Sequence, residues 1–293
     1  MLVVTNEDAG STDEDSTRRV VTALRQHRDS VTVVTTGSPD ELRAALARHD
    51  DRTVVCVGGD GSLHALLQAL HDAGQLDQRT VGLLPLGTGN DFARGVGLPA
   101  ELDEALAVLL HGTARPVDLL VDEDGGVVVN AVHAGVGAVA GYAARPVKPL
   151  LGTASFLVGA VLAGLGHRGR RLRVVVDGRV IADGRRRLLM VGVANARTIA
   201  GGAAVLGPDA TVLDGHADVS VSFAVGPFAR IGYALRLRTG RHPERADVVA
   251  LSGRRIEVGG DEFSTNADGE LAGPFHRRAW RVHQGAWRLL MPA

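Results

Sequence analysis

The stretch from Val54 to Ser62 limits the possible folds more than any other part of the chain. Val54, Val55, Cys56 and Val57 run straight into Gly58, Gly59, Asp60, Gly61 and Ser62, and a short apolar run bounded by glycines reads as a buried strand ending in a turn. Leu63, Leu66, Leu67 and Leu70 then fall on one helical face. The glycines therefore join the carboxyl end of a strand to the amino end of a helix, as in open α/β sheets. Unpaired N–H groups and the helix dipole attract anions at such a junction, and residues without Cβ let phosphate oxygens reach the backbone. Asp60 fits that cradle only beside a cation or a proton, which suggests Mg²⁺ or a general base. The competing reading is a tight strand-to-helix turn in which Asp60 serves as a helix cap.

The surrounding sequence repeats the same unit. Leu2–Thr5, Val31–Thr35 and Val81–Pro85 read as strands, and helices follow with apolar faces at Val20, Val21 and Leu24 and at Leu42, Ala45 and Leu46. Before the second of these helices, Ser38 can cap, Pro39 needs no donor, and Glu41 completes a capping box. The Val81–Pro85 strand leads into a second glycine loop through Gly87, Thr88, Gly89, Asn90 and Asp91, and a further helix carries Leu102, Leu106, Leu109 and Leu110. Strand and helix in alternation predict a mostly parallel, Rossmann-like sheet with ligands at its carboxyl edge. Two glycine loops at that edge suggest one shared cleft.

From about Pro116 the texture changes to short strands and turns. Val174–Val176, Asp177-Gly178 and Arg179–Ile181 read as a hairpin with a type I′ turn. Val117–Val121, Val127–Val132, Leu188–Val193, Val219–Phe223, Arg255–Val258, Trp280–Val282 and Trp287–Met291 are further strand candidates, spaced as in an all-β sandwich. The expected division is an α/β domain over residues 1–118 and a sandwich over 119–286, with the last strand, near 287–293, returning to the first domain. The uncharged segment Pro149–Gly166 is flanked by Arg145 and Lys148 before it and by Arg168, Arg170 and Arg171 after it. It is read first as a buried helix, next as a lipid-facing one and last as a membrane span, since it only reaches the lower limit of about 18 residues.

The single cysteine leaves no intramolecular disulfide, and Met1–Gly10 has neither the basic nor the apolar region of a signal peptide. Both point to the cytosol. A net charge of −1 conceals an asymmetry: residues 1–120 hold 10 Lys or Arg against 18 Asp or Glu, and the remainder holds 22 against 15. The basic second half is either a solvated surface or a face drawn to anionic membranes. Nucleic-acid binding is not expected, because aromatics are only 3% of the chain and the basic residues are scattered. A homodimer is left open by the sequence.

Gly58-Gly59-Asp60-Gly61-Ser62 followed by Pro85-Leu86-Gly87-Thr88-Gly89-Asn90-Asp91-Phe92-Ala93-Arg94 closely resembles the diacylglycerol kinase catalytic family, which includes sphingosine kinases and bacterial lipid kinases. Asn195, Gly201-Gly202, Pro208, Ala210 and Asp214-Gly215 through Asp218 resemble the family's second-domain motif, and Asp268-Gly269-Glu270 its late acidic motif. The resemblance implies a nucleotide-binding α/β domain followed by a lipid-binding β-sandwich, with the active site between them. It also implies transfer of the γ-phosphoryl group of ATP to a lipid hydroxyl, such as that of diacylglycerol, at the cytosolic membrane face by a peripherally bound enzyme. By position, Asn6, Gly58, Gly59, Gly61, Ser62, Gly87, Thr88, Gly89 and Asn90 correspond to nucleotide contacts, and Asp60, Asp91 and Asp118 to an aspartate network around Mg²⁺. Glu270 corresponds to the general base, with Asp268 beside it and Asp60 sharing the catalytic role. Such chemistry needs cations on the phosphate oxygens and a carboxylate at the attacking hydroxyl.

The chain departs from the family pattern at several positions: Glu7 replaces a proline after Asn6, Ser62 a common threonine, Ala65 and Val139 carboxylates, and Ala203 a third glycine after Gly201-Gly202. Two rival readings follow: a soluble NAD-kinase-like enzyme sharing the first glycine loop, and a nucleotide-binding module without turnover. The Pro85–Arg94 motif argues against the first, and retention of Asp60, Asp91, Asp118 and Glu270 against the second.

Overall fold

A computed structural model describes residues 1–6, 11–28, 30–50, 53–135 and 168–292. The readings that fall on Glu7, on Val139 and on the Pro149–Gly166 segment lie outside the described residues. The chain divides into two compact units, Met1–Leu119 with Gln284–Ala293, and Leu120–His283.

In the first unit, β1 (Leu2–Asn6), β2 (Thr32–Thr36), β3 (Thr53–Gly58) and β4 (Thr80–Pro85) are parallel in the order β2-β1-β3-β4. The carboxyl end of the last strand, β16 (Glu270–Met291), adds to β4 in parallel through Arg288 and Leu289. Register aligns the functional edge: Val4 lies opposite Cys56, so β1 ends at Asn6 level with Gly58, and Gly58 lies opposite Pro85. Helices α1 (Ser11–His27) and α5 (Leu102–His111) enclose one core, in which Val20, Val21, Leu24, Ala105 and Leu109 meet Val3, Val55, Val57 and Leu84. Helices α2 (Pro39–Arg48) and α3 (Asp60–Asp72) pack on each other, burying Leu42, Ala45 and Leu46 from one and Leu63, Leu66, Leu67 and Leu70 from the other. The Ser38 hydroxyl accepts the Glu41 N–H at 3.3 Å. The Glu41 carboxylate accepts the Gly37 N–H at 2.8 Å, so the box closes one residue earlier than the Ser38 amide that the motif names.

The second unit is an antiparallel sandwich. The strands are β5 (Thr113–Asp122, entering from the first unit), β6 (Val127–Val128), β7 (Ala131–Gly135), β8 (Leu172–Val176), β9 (Arg179–Asp183), β10 (Met190–Ala194), β11 (Thr198–Ile199), β12 (Ala204–Val205), β13 (Ala217–Ser222), β14 (Val248–Gly253) and β15 (Arg255–Ala267). The order runs β14-β13-β10-β7-β15-β16, with β8 and β9 attached through the first half of β15. Asp177 and Gly178 take φ of 49° and 80°, the two left-handed residues that a type I′ turn requires. Side chains of alternating parity fill the core, Val132 and Ala134, Val191 and Val193, and Val219 and Val221 meeting Ile256, Val258 and Trp280.

Three features depart from the sequence reading. The run Val127–Val132 is two strands, because Val129 and Asn130 turn out of the ladder. Trp280–Val282 and Trp287–Met291 belong to one strand of 22 residues that starts at Glu270. The second unit also carries a helix, α6 (Pro227–Arg238), whose inner face buries Tyr233 and Leu237 against Met190, Leu206 and Val248.

Candidate functional site

The two glycine loops of the first unit are joined backbone to backbone. A Cβ on Gly87 would lie 2.5 Å from the Cα of Gly59 and 3.1 Å from its nitrogen, so the residue must be glycine for the loops to meet. The Leu86 N–H donates to the Gly58 carbonyl at 3.2 Å. Gly58, with φ of 155°, leaves room for the Ser62 side chain, whose Cβ would sit 2.8 Å from a Cβ at that position. Gly59 is the residue before α3 and offers no side-chain cap. The first-turn amides of a helix have no intrahelical partner, which suits such an end to an anion. Thr88 is exposed, and Gly89 half-buried, in the second loop.

Asp60 has a structural task that the sequence did not disclose. Its carboxylate accepts the N–H of Asp91 and of Phe92, each at 2.9 Å. It therefore caps α4 (Asp91–Gly95), the short helix after the second loop, and not the helix in which it sits. Asn90 enters α4 in the left-handed conformation (φ 48°, ψ 44°), with its amide donating to Pro85 O at 2.9 Å and Gly87 O at 2.6 Å. Its side chain holds the loop shut, where the family resemblance makes it a nucleotide contact. Phe92 anchors the other side of α4 on Trp287, ring centroids 5.7 Å apart.

Asp91 is buried at the start of α4 and lies 3.5 Å from the Arg94 guanidinium. Asp118, 1% exposed on β5, accepts the Gly285 N–H at 2.8 Å. These aspartates do not build a metal cage by themselves: among the described residues no three His, Cys, Asp or Glu side chains converge to hold a metal ion. Asn6 sits exposed at the end of β1.

In the second unit, Asp268 and Gly269 form the turn between β15 and β16 with φ of 49° and 97°. The Asp268 carboxylate accepts the N–H groups of Val129 at 2.6 Å, Asn130 at 2.8 Å and Ala131 at 3.1 Å. Asn195 grips the same segment, its side chain donating to Val129 O at 2.9 Å while Asn195 N and Ala196 N donate to Asn130 O at 2.8 Å. Asp268 is therefore a clamp on the Val129–Ala131 backbone. Glu270, two residues on, is exposed and pairs with Ala267 across the turn, and its side chain enters no hydrogen bond or ion pair among the described residues. The signal for the clamped segment was the polar Asn130 at the end of the apolar run Val127–Val129.

Comparison with known proteins gives these features a context. A family model described as the diacylglycerol kinase catalytic domain matches residues 1–121, and one described as the YegS C-terminal NAD kinase beta sandwich-like domain matches residues 130–291. A Pseudomonas aeruginosa protein named "Probable lipid kinase YegS-like" is 34% identical over 302 residues, covering 100% of this chain and 94% of the relative. The diacylglycerol kinase of Bacillus subtilis is 27% identical, covering 84% and 80%. A Bacillus anthracis diacylglycerol kinase structure superposes with a TM-score of 0.74 at 20% identity, over 99% of this chain and 95% of that one. Yeast NADH kinase gives 0.56 at 11% identity, over 98% and 81%. At these identities both likenesses are of fold.

Proposed function

The chain belongs to the diacylglycerol kinase catalytic-domain family, and from that premise we propose that it transfers the γ-phosphoryl group of ATP to the hydroxyl of a membrane lipid, diacylglycerol being the first candidate. The observation that carries the proposal is the pair of glycine loops fused at Gly59 and Gly87 on the carboxyl edge of a parallel sheet. The amino end of α3 receives the phosphates, and the backbone approaches them without a Cβ in the way. Asp60 keeps the second loop in register by holding the α4 amides. Glu270, whose side chain has no hydrogen-bond or ion-pair partner among the described residues, orients the lipid hydroxyl and takes its proton.

The aspartates of the first unit fit Mg²⁺ brought in on the nucleotide. Such an ion keeps several waters and needs only one or two carboxylates beyond the phosphates, and a carboxylate such as Asp60, which accepts two amide N–H groups, has up to four lone-pair sites with which to take part. Asp60, Asp91 and Asp118 are the residues that would hold it. The ion supplies neutralisation of charge developing on the phosphate oxygens. Calorimetric titration of ATP with and without Mg²⁺ reads this contribution apart from turnover.

The decisive assay is γ-labelled ATP with total lipid extract in one arm and NAD in the other. Label in a lipid, and in phosphatidic acid when diacylglycerol is supplied, is the expected result. Label only in the NAD product would overturn the proposal.

A further inference from the structure

Helix α6 presents an apolar stripe to its outer side. Tyr233 and Leu237 bury the inner face, while Phe228, Ile231 and Leu235 stand on the opposite face with 86%, 43% and 59% of their surface exposed. Their spacing of i, i+3 and i+7 places them in one row along two turns. Scattered exposed leucines need no explanation, but a row headed by an almost fully exposed phenylalanine does. The row ends among positive charge. Arg236, Arg238 and Arg241 are exposed, and the first turn of the helix has no acidic residue. Glu244 pairs with Arg236 at 3.6 Å and with Arg241 at 2.9 Å, which leaves these four side chains with a net charge of +2. Arg238 enters no ion pair among the described residues.

We propose that this face of α6 docks on an anionic lipid bilayer, Phe228, Ile231 and Leu235 entering the boundary between headgroups and acyl chains while Arg238, Arg236 and Arg241 lie against lipid phosphates. A large apolar row with a cationic margin is the pattern of an interfacial helix. Charge decides among the occupants: a second copy seated on the same face would bring the same net positive charge and no excess of acidic groups to it, whereas an anionic membrane complements it. The inference rests on the lipid-kinase reading, since a substrate dissolved in a membrane must be met at its surface.

The test separates binding from turnover. Sedimentation with phosphatidylcholine vesicles containing phosphatidylglycerol, and no diacylglycerol, reads docking alone; turnover is read on diacylglycerol in detergent micelles. The double variant Phe228→Ser/Leu235→Ser is expected to partition to vesicles at least about tenfold more weakly, with unchanged micelle turnover and unchanged thermal unfolding. Arg238→Glu is expected to weaken partition to the anionic vesicles and not to pure phosphatidylcholine. Tryptophan placed by Phe228→Trp should shift its emission to the blue when vesicles are added. A double variant that sediments like the parent protein overturns the inference, as does a dimer of the parent protein that the double variant dissolves without any vesicle binding. Vesicle docking with no micelle turnover would remove the kinase reading and leave the docking face standing.

Discussion

Replacing Asp60 separates the two tasks its position suggests. Both carboxylate oxygens receive backbone amides of α4, at 2.9 Å each, and a hydrogen bond to a charged group contributes about 1.5–3 kcal/mol. Asp60 is half-buried, so solvent competes for the freed amides and the sum lies at the lower end: about 3–4 kcal/mol for Asp60→Ala. Asp60→Asn keeps one acceptor oxygen but turns an NH₂ toward the second amide, for a loss of about 1–2 kcal/mol. A pure metal or nucleotide ligand behaves in the opposite way, its removal leaving stability intact. Urea unfolding of the nucleotide-free protein gives the global effect, and hydrogen exchange across residues 86–95 gives the local one, where the Asp91 and Phe92 amides should lose protection. An Asp60→Asn protein whose Asp91 and Phe92 amides stay protected and whose stability stays within about 0.3 kcal/mol of the parent would show that the Asp60 carboxylate does not hold α4.

Four further outcomes are expected. Glu270→Gln should lower kcat by about 10²–10⁴-fold without changing ATP affinity by calorimetry, and its stability should stay within about 0.5 kcal/mol because the side chain is exposed. Gly87→Ala drives a Cβ to 2.5 Å from the Gly59 Cα, so urea unfolding should show a loss of about 1–3 kcal/mol together with weaker ATP binding. Asp268→Ala removes the acceptor of three amides and should cost about 3–5 kcal/mol in the same assay, more than Asp268→Asn. His133 is 6% exposed and burial lowers its pKa to about 4 from 6.5. The fold thus holds the neutral ring, and stability present above pH 6.5 should fall by about 1.4 kcal/mol per pH unit as the medium is acidified toward 4; His133→Gln should flatten that slope in unfolding measured across the range.

Much of the first unit could be read from periodicity and turn chemistry alone. Leu63, Leu66, Leu67 and Leu70 marked α3 because the residues that face a core recur with the helical repeat, and Ser38, Pro39 and Glu41 marked the start of α2 because orphan amides need those partners. Helix α4 escaped notice since its five residues are too few to show a period, and its stability comes from Asp60, 31 residues earlier. Helix α6 escaped for a different reason. Its inner face is only Tyr233 and Leu237, and the apolar residues Phe228, Ile231 and Leu235 point outward, so the pattern that signals a core-facing helix is split between two faces. The break at Val129 and Asn130 was equally hidden, because the carboxylate that satisfies those amides lies at Asp268, nearly 140 residues downstream.

The same device recurs in both units and sorts the acidic residues of the motifs. In the first, Asp60 holds two amides of a distant segment; in the second, Asp268 holds three. A carboxylate so engaged fixes a loop where a glycine alone would leave it free, since glycine lowers the steric cost of a turn but raises the entropy lost in ordering it. Each clamp therefore stands beside glycines that need it: Asp60 between Gly59 and Gly61, Asp268 before Gly269. Chemistry at a hydroxyl calls for a carboxylate with oxygens to spare. By that criterion the acidic motif Asp268-Gly269-Glu270 divides into a first residue that binds the backbone and an exposed third residue, the one proposed above to meet the lipid hydroxyl.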